Sequence, residues 1–193
     1  MLEISVDAPR SPHDSDPVLI IALGDSLTAG FPLEPFSWIL SLGELPAEVI
    51  NTGINGDTLS GMATRLDREV LAHKPDVCFF MGGSNDAFLG RDLEEMQNNA
   101  AQIQKRILDR GILSVAGLPP PTLFPDLEAK LDPFRDWIRE NLENPLDFRR
   151  AFGYNDEINP EFLPDGVHPS REAYENMGHV ALKFFRTLPL SFD

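Results

Sequence analysis

Ser26 and His168 are the two residues of this 193-residue chain whose types and settings together suit nucleophilic chemistry. A serine hydroxyl is a weak nucleophile until a base takes its proton, and histidine is the side chain whose ordinary ionisation lies nearest neutral pH. Ser26 stands in Gly24-Asp25-Ser26-Leu27, directly after the apolar run Val18 to Leu23, so its hydroxyl falls where a buried strand gives way to a loop. His168 closes Asp165-Gly166-Val167-His168, and Asp165, three residues earlier, can reach the second ring nitrogen. That contact would fix the tautomer and favour the imidazolium formed during attack. Pro169 pushes His168 away from helical geometry and suits the first turn of a following helix.

Attack on an acyl carbon creates an oxyanion, which needs hydrogen-bond donors held in advance. Asn51-Thr52-Gly53-Ile54-Asn55-Gly56-Asp57-Thr58 and Gly83-Ser84-Asn85-Asp86, each following a short apolar run, offer such donors. A glycine lets a carbonyl approach the backbone closely, and an asparagine supplies a side-chain amide. Each block also has an ordinary structural use: Ser26 as a helix N-cap, Asn85 in an Asx turn, the glycines in turns, Asp165 and His168 in a surface turn. The four blocks in this order are much harder to produce by chance than any one of them. His13, His73 and His179 have no comparable neighbours and are read as surface or packing residues.

At these residues the chain resembles the GDSL hydrolases, also called the SGNH family after its Ser, Gly, Asn and His blocks. The resemblance runs from about Val18 to about Ala181, with Gly24-Asp25-Ser26-Leu27-Thr28-Ala29-Gly30 as an extended first block. It implies Ser26 as nucleophile, His168 as general base toward Ser26 and general acid toward the leaving group, and Asp165 as its orienter. The implied oxyanion hole combines the Ser26 N–H, a glycine N–H and the Asn85 amide. Gly53 and Gly56 both fit the family pattern; Gly56 is preferred because Asp57-Thr58 beside it can cap a following helix and aim its N–H groups at an anion. The implied activity is cofactor-free and metal-independent hydrolysis of carboxylic esters, or of thioesters, through an acyl-enzyme. Carbohydrate deacetylase and lysophospholipase activities within the same family are the alternatives.

Rival readings lack their residues. Gly-Asp followed by Gly-x-Asn-Asp also suits a dinuclear metallophosphoesterase, but the opening Asp-x-His and later His-x-His that would complete two metal sites are missing. A non-catalytic binding module on the same fold has no need of an intact set of four blocks. No Gly-x-Ser-x-Gly elbow of an α/β-hydrolase occurs. Asp25 and Asp86 are read as structural, holding loops through backbone N–H groups.

The elements that must position these residues are legible as periodicity. Val18 to Leu23, Val49-Ile50, Val77 to Met81 and Ile112 to Val115 are short and apolar, as strands buried on both faces of a parallel sheet would be, and Leu146-Asp147-Phe148 is a weaker fifth. Helical stripes separate them: Leu59, Met62, Ala63, Leu66 and Val70; Leu93, Met96, Ala100, Ile103 and Ile107; Leu127, Leu131, Phe134, Ile138 and Leu142. A last helix is expected from Arg171 to about Arg186, with Ala173, Met177, Val180, Ala181, Phe184 and Leu188 inward. The alternation predicts an α/β fold, a three-layer α/β/α sandwich with right-handed crossovers. The resemblance adds a flavodoxin-like order of about five parallel strands, the SGNH hydrolase fold. Ligands of such sheets bind beyond the carboxyl ends of the strands, where Ser26, Gly56 and Asn85 fall. The proline-rich stretch Leu118 to Pro125 reads as a stiff loop beside the site.

Composition suits one domain over residues 1–193, with an irregular arm over residues 1–16. A formal charge of -15 repels phosphate-rich partners, so nucleic acid and anionic membranes are excluded, and a small neutral ester or acyl substrate is favoured. Cys78, the only cysteine, permits no intrachain disulfide. Residues 1–16 lack the charged-then-apolar order of a secretion signal, and no apolar run reaches membrane-spanning length, so a cytoplasmic location without stable membrane insertion is expected. Phe31, Pro32, Phe36 and Trp38, then Phe88 and Leu89, then Leu123 and Phe124 fall on loops near the expected cleft; Phe31, Phe88 and Leu123 are the candidates for an apolar substrate pocket, with loop anchoring as the alternative for each.

Overall fold

The computed structural model describes residues 17–154 and 157–190, so the expected N-terminal arm and His13 lie outside the described residues. The apolar run at its start forms β1 (Val18–Gly24), followed by the single turn α1 (Ser26–Ala29) and two 3₁₀ segments, Glu34–Phe36 and Trp38–Glu44. Then come β2 (Ala47–Gly53), α2 (Leu59–Glu69), β3 (Val77–Met81), α3 (Ser84–Phe88), α4 (Leu93–Leu108), β4 (Leu113–Ala116) and α5 (Pro125–Asn141). A two-residue antiparallel pair, β5 (Gly153–Tyr154) with β6 (Glu157–Ile158), precedes the last helix, α6 (Arg171–Phe185).

The four main strands are parallel in the order β2-β1-β3-β4. Side chains alternate across a strand, and β1 shows why three layers result. Leu19, Ile21 and Leu23 pack with Cys78, Phe80 and the inner faces of α2, α4 and α5. Ile20 and Ala22 point the other way, to Trp38, Leu42, Phe79, Val115 and the inner face of α6. Each large apolar side chain taken out of water in these two cores contributes about 1.5–3 kcal/mol. The connections leaving β1 and β2 run over opposite faces, so the segments that leave the carboxyl ends of the paired strands β1 and β3 part there, which opens the crevice of a doubly wound sheet.

Strand β2 departs from the expectation of burial on both faces. It is the sheet edge, only partly buried, and carries Glu48, Asn51 and Thr52. Residues 146–148 do not form a full fifth strand. They contribute one parallel bridge, Leu146 to Gly117, in which the Leu146 N–H donates to Ala116 and its carbonyl accepts from Leu118, both at 2.9 Å. Asp147 turns its carboxylate to Arg139, and the ladder stops after one residue because the partner segment continues as Pro119-Pro120-Pro121, which has no N–H to extend it. On α6 the buried face is rotated from the expected one: Tyr174, Leu182 and Phe185 are buried, while Val180 and Phe184 are only partly so. Among the described residues no helix is long and apolar enough to cross a membrane.

Candidate active site

At the end of β1 the chain passes through Gly24, takes an extended conformation at Asp25, and enters α1, which closes on Gly30 at φ 99°. The N-cap of this turn is Asp25, whose Oδ1 accepts the Leu27 N–H at 2.9 Å. Asp25 thus takes the capping job that was the structural alternative for Ser26. The Ser26 hydroxyl points elsewhere, with Oγ 3.2 Å from His168 Nε2, across 142 residues of sequence.

His168 is held by Asp165 through both carboxylate oxygens. Oδ1 accepts the backbone N–H groups of Val167 and His168 at 2.9 and 2.7 Å, and Oδ2 lies 2.7 Å from His168 Nδ1. Partial burial works to raise the Asp165 carboxyl, but the His168 N–H, the imidazole and the Val167 N–H outweigh it and hold the group below its ordinary range. Gly166, at φ 87°, makes the bend possible, and a Cβ there would strike the Phe124 ring at 2.8 Å. Its carbonyl accepts the Leu123 N–H at 2.8 Å, which ties the proline loop to the histidine segment. That loop is in turn clamped by Arg135, 2% exposed, which donates to the carbonyls of Pro119 and Pro120 and pairs with Glu128. On its other side the imidazole meets Phe31 edge-on, with centroids 4.8 Å apart, and Tyr174 of α6 fixes that segment by donating to the Phe31 carbonyl at 2.8 Å. Pro169 does not open the last helix. Ser170 is its cap, accepting the Ala173 N–H, and the helical turns begin at Arg171.

The two glycines of the second block differ in kind. Gly53 ends β2 directly opposite Gly24, and a Cβ there would sit 2.3 Å from the Ala29 nitrogen; its own N–H donates to Asn51 Oδ1 at 2.9 Å. It is a close-packing glycine rather than the turn glycine expected. Gly56 is exposed, has φ 79°, and a Cβ there would meet nothing within 4 Å, so backbone conformation alone calls for glycine. Thr58 caps α2 by accepting the Gly61 N–H, and Asp86 accepts the Leu59 N–H at 3.1 Å. Asn85, at the start of α3, donates from Nδ2 to the Asp57 carbonyl at 2.9 Å and lies at a longer 3.4 Å from Asp25 Oδ2.

Asp25 and Asp86 hold loops through backbone N–H groups, as read from the sequence, but Asp25 is also electrostatically unusual. Full burial pushes its carboxyl up to about 7, against the Leu27 N–H, and the nearby Asp57 and Asp86 add repulsion. Burial likewise raises Asp86 against its bond from Leu59. Arg65 escaped the sequence reading altogether. It is 7% exposed and donates to Asp57, Glu69 and the carbonyls of Gly24 and Thr52. The signal was an arginine one residue before Leu66 and three after Met62, on the apolar stripe of α2, where a charge is stable only if paired.

Of the candidate pocket residues, Phe31 lines the imidazole, Phe88 lies one turn from Asn85 on α3 and is 79% exposed, and Leu123 is bonded to the Gly166 segment. Trp38 is an anchor instead, buried against Phe79 and Phe148. Exposed large apolar side chains gather on the loops after β1, β2, β3 and β4, at Phe31, Phe36, Ile54, Phe88, Leu89, Leu123 and Phe124. His73 and His179 are exposed. Among the described residues no three His, Cys, Asp or Glu side chains form a group able to hold a metal ion.

A doubly wound sheet with these residues at the carboxyl ends of its strands agrees with what the chain is similar to. The chain belongs to the GDSL-like lipase/acylhydrolase family, whose profile matches residues 22–175. Among solved structures it is similar to a G-D-S-L family protein from Desulfitobacterium hafniense DCB-2, with TM-score 0.77 and 25% identity over 86% of this chain and 99% of that one. It shares its fold with a member of the lipolytic G-D-S-L family from Veillonella parvula DSM 2008, with TM-score 0.79 and 21% identity over 89% and 100%. It also shares its fold with the psychrotrophic esterase EstA of a Pseudoalteromonas species, inhibited by monoethylphosphonate, with TM-score 0.71 and 20% identity over 87% and 96%. No curated protein sequence matches the chain.

Proposed function

We propose that this chain is a serine hydrolase that cleaves carboxylic esters or thioesters through an acyl-enzyme, with Ser26 as nucleophile, His168 as general base and acid, and Asp165 as orienter. The observation that carries the reading is the continuous chain from Ser26 Oγ to His168 Nε2 at 3.2 Å and from His168 Nδ1 to Asp165 Oδ2 at 2.7 Å. His168 takes the Ser26 proton as Oγ attacks the acyl carbon, then gives that proton to the departing alkoxide or thiolate. Water repeats the sequence on the acyl-enzyme, releasing the acid and restoring Ser26. The oxyanion of each step is received by the N–H groups of Ser26 and Gly56 and by the Asn85 amide, which is aligned by the Asp57 carbonyl at 2.9 Å and turns its second N–H from the longer 3.4 Å bond to Asp25 toward the oxyanion. Gly53 is set aside as a donor because its N–H is engaged with Asn51.

The favoured substrate is a small neutral ester whose acyl or aryl group rests on Phe31, Phe88 and Leu123. The charge of -15 disfavours anionic substrates such as acyl-CoA. Intact-mass analysis after a fluorophosphonate probe, on the wild-type chain and on Ser26→Ala with a chelator in parallel, tests the chemistry: labelling lost only in the variant is expected. No labelling in either would revive the metal-dependent and binding-module readings. A chain-length series of p-nitrophenyl esters tests the substrate, and highest kcat/KM at long acyl chains would overturn the small-ester assignment.

A further inference from the structure

Two of the three segments that carry the proposed oxyanion donors meet on one guanidinium, and the third bonds to its partner Asp57. Arg65 Nη2 donates at 2.9 Å to the carbonyl of Gly24, two residues before Ser26. Nη1 donates at 2.6 Å to the carbonyl of Thr52, in the strand that leads to Gly56, and at 2.6 Å to Glu69 Oε2. Nε donates at 2.8 Å to Asp57 Oδ2. Asp57 then reaches two ways: it follows Gly56 directly in the chain, and its carbonyl is the acceptor that aligns the Asn85 amide. We propose that Arg65 is a positioning residue for the oxyanion site, setting the Ser26, Gly56 and Asn85 donors relative to one another, chiefly through Asp57.

The inference rests on the hydrolase reading above and extends it to a residue that touches no substrate. Only a planar fork with N–H groups diverging along several directions can serve two carbonyls and two carboxylates at once. A lysine has the charge but not the geometry. A buried ion pair is weak warrant for stability, since apolar replacements of similar volume are often as stable. The geometric role is therefore separable from a merely structural one.

The test compares wild type, Arg65→Lys, and the double variant Arg65→Met with Asp57→Asn, in which the Asp57 charge leaves with its partner while the more exposed Glu69 keeps Arg68. Ile103→Ala, a core change in α4, controls for loss of stability. Each protein is checked by circular dichroism, then assayed for kcat and KM on p-nitrophenyl acetate and for inhibition by an alkyl boronic acid, whose tetrahedral adduct resembles the oxyanion. Expected for both Arg65 variants is a fall in kcat on the order of 10-fold to 100-fold, with KM little changed and boronate affinity weakened in step. The Ile103→Ala control should keep its kcat while losing thermal stability. Folded Arg65 variants with wild-type kcat and boronate affinity, or a change confined to KM, would overturn this inference alone. A wild-type chain that neither turns over ester nor takes the phosphonate would overturn the hydrolase reading, and this inference with it.

Discussion

At the scale of single residues the carboxyl of Asp25 is strongly constrained by its surroundings. It begins at 3.8 in its ordinary state and is pushed to about 7 in the fold, mainly by burial. The folded chain therefore keeps a proton there that the unfolded chain has released. The resulting stabilisation is fully present below about pH 4 and is lost as pH rises through about 7. Asp25→Asn keeps an acceptor for the Leu27 N–H but cannot titrate. Denaturant melts between pH 5 and 8 should show wild-type stability declining more steeply with pH than that of the variant; parallel curves would mean that Asp25 does not titrate in this window. The same proton removes a negative charge from beside Asn85, 3.4 Å away, the amide proposed to receive the oxyanion. Asn85 itself carries the second residue-level prediction. Removing one such donor typically costs about 10²–10³ in kcat, so Asn85→Ala should lose that much turnover of p-nitrophenyl acetate while retaining a native circular dichroism spectrum. Near-normal turnover would end its role as a donor.

At the scale of elements, the site depends on how closely β1, β2 and α1 approach. Gly53 faces Gly24 in register and presses on the backbone of Ala29, so any side chain there must force α1 outward and move Ser26 with it. Gly56 is crowded by nothing, and a substitution there meets only the strain of its positive φ. Gly53→Ala should consequently destabilise by about 1–3 kcal/mol or more, as overpacking does, and depress kcat as well. Gly56→Ala should cost about 1 kcal/mol through backbone strain. Paired thermal melts and kcat values check the contrast, and equal losses at the two positions would show that the close approach at Gly53 is not a constraint. The proline loop acts at this scale too. Arg135 clamps it to α5 and Leu123 bonds it to Gly166, so one loop holds both an apolar side chain of the rim and the histidine segment.

For the whole molecule the dominant property is a charge of -15. A field of that sign should draw cationic esters toward the cleft and hold anionic ones away, and salt should screen it. The ratio of kcat/KM for a cationic ester to that for an anionic ester of the same length should therefore exceed one at about 0.01 M salt and shrink toward a limiting value by about 1 M. A ratio indifferent to salt would mean that contacts in the pocket, not the field, set any preference. The same scale explains where chemistry is possible at all. The order β2-β1-β3-β4 makes the connections that leave β1 and β3 part, and Ser26 and Asn85 stand in the short helices just beyond the carboxyl ends of those strands.

Much of this was determined by local sequence. Runs such as Val77 to Met81 are short enough to suit strands buried between layers, and the stripe of Met96, Ala100, Ile103 and Ile107 recurs at helical spacing, so fold class and the inner faces of α2, α4 and α5 were legible from length and periodicity. The Ser, Asn and Asp-x-x-His blocks were legible because the residue types that chemistry needs are few. What periodicity cannot carry is contact between distant segments. Leu146 has the apolar character of a strand, yet it pairs for one residue because the segment beside it runs into Pro119-Pro120-Pro121, which has no N–H to give. Gly53 and Gly56 look alike in sequence, and only the approach of Ala29 separates them. Arg65 reads as one polar interruption of an apolar stripe until Gly24, Thr52 and Asp57 converge on it. The tertiary structure decided these points because each depends on which backbone groups, far apart in the chain, are brought out of water together and must find partners there.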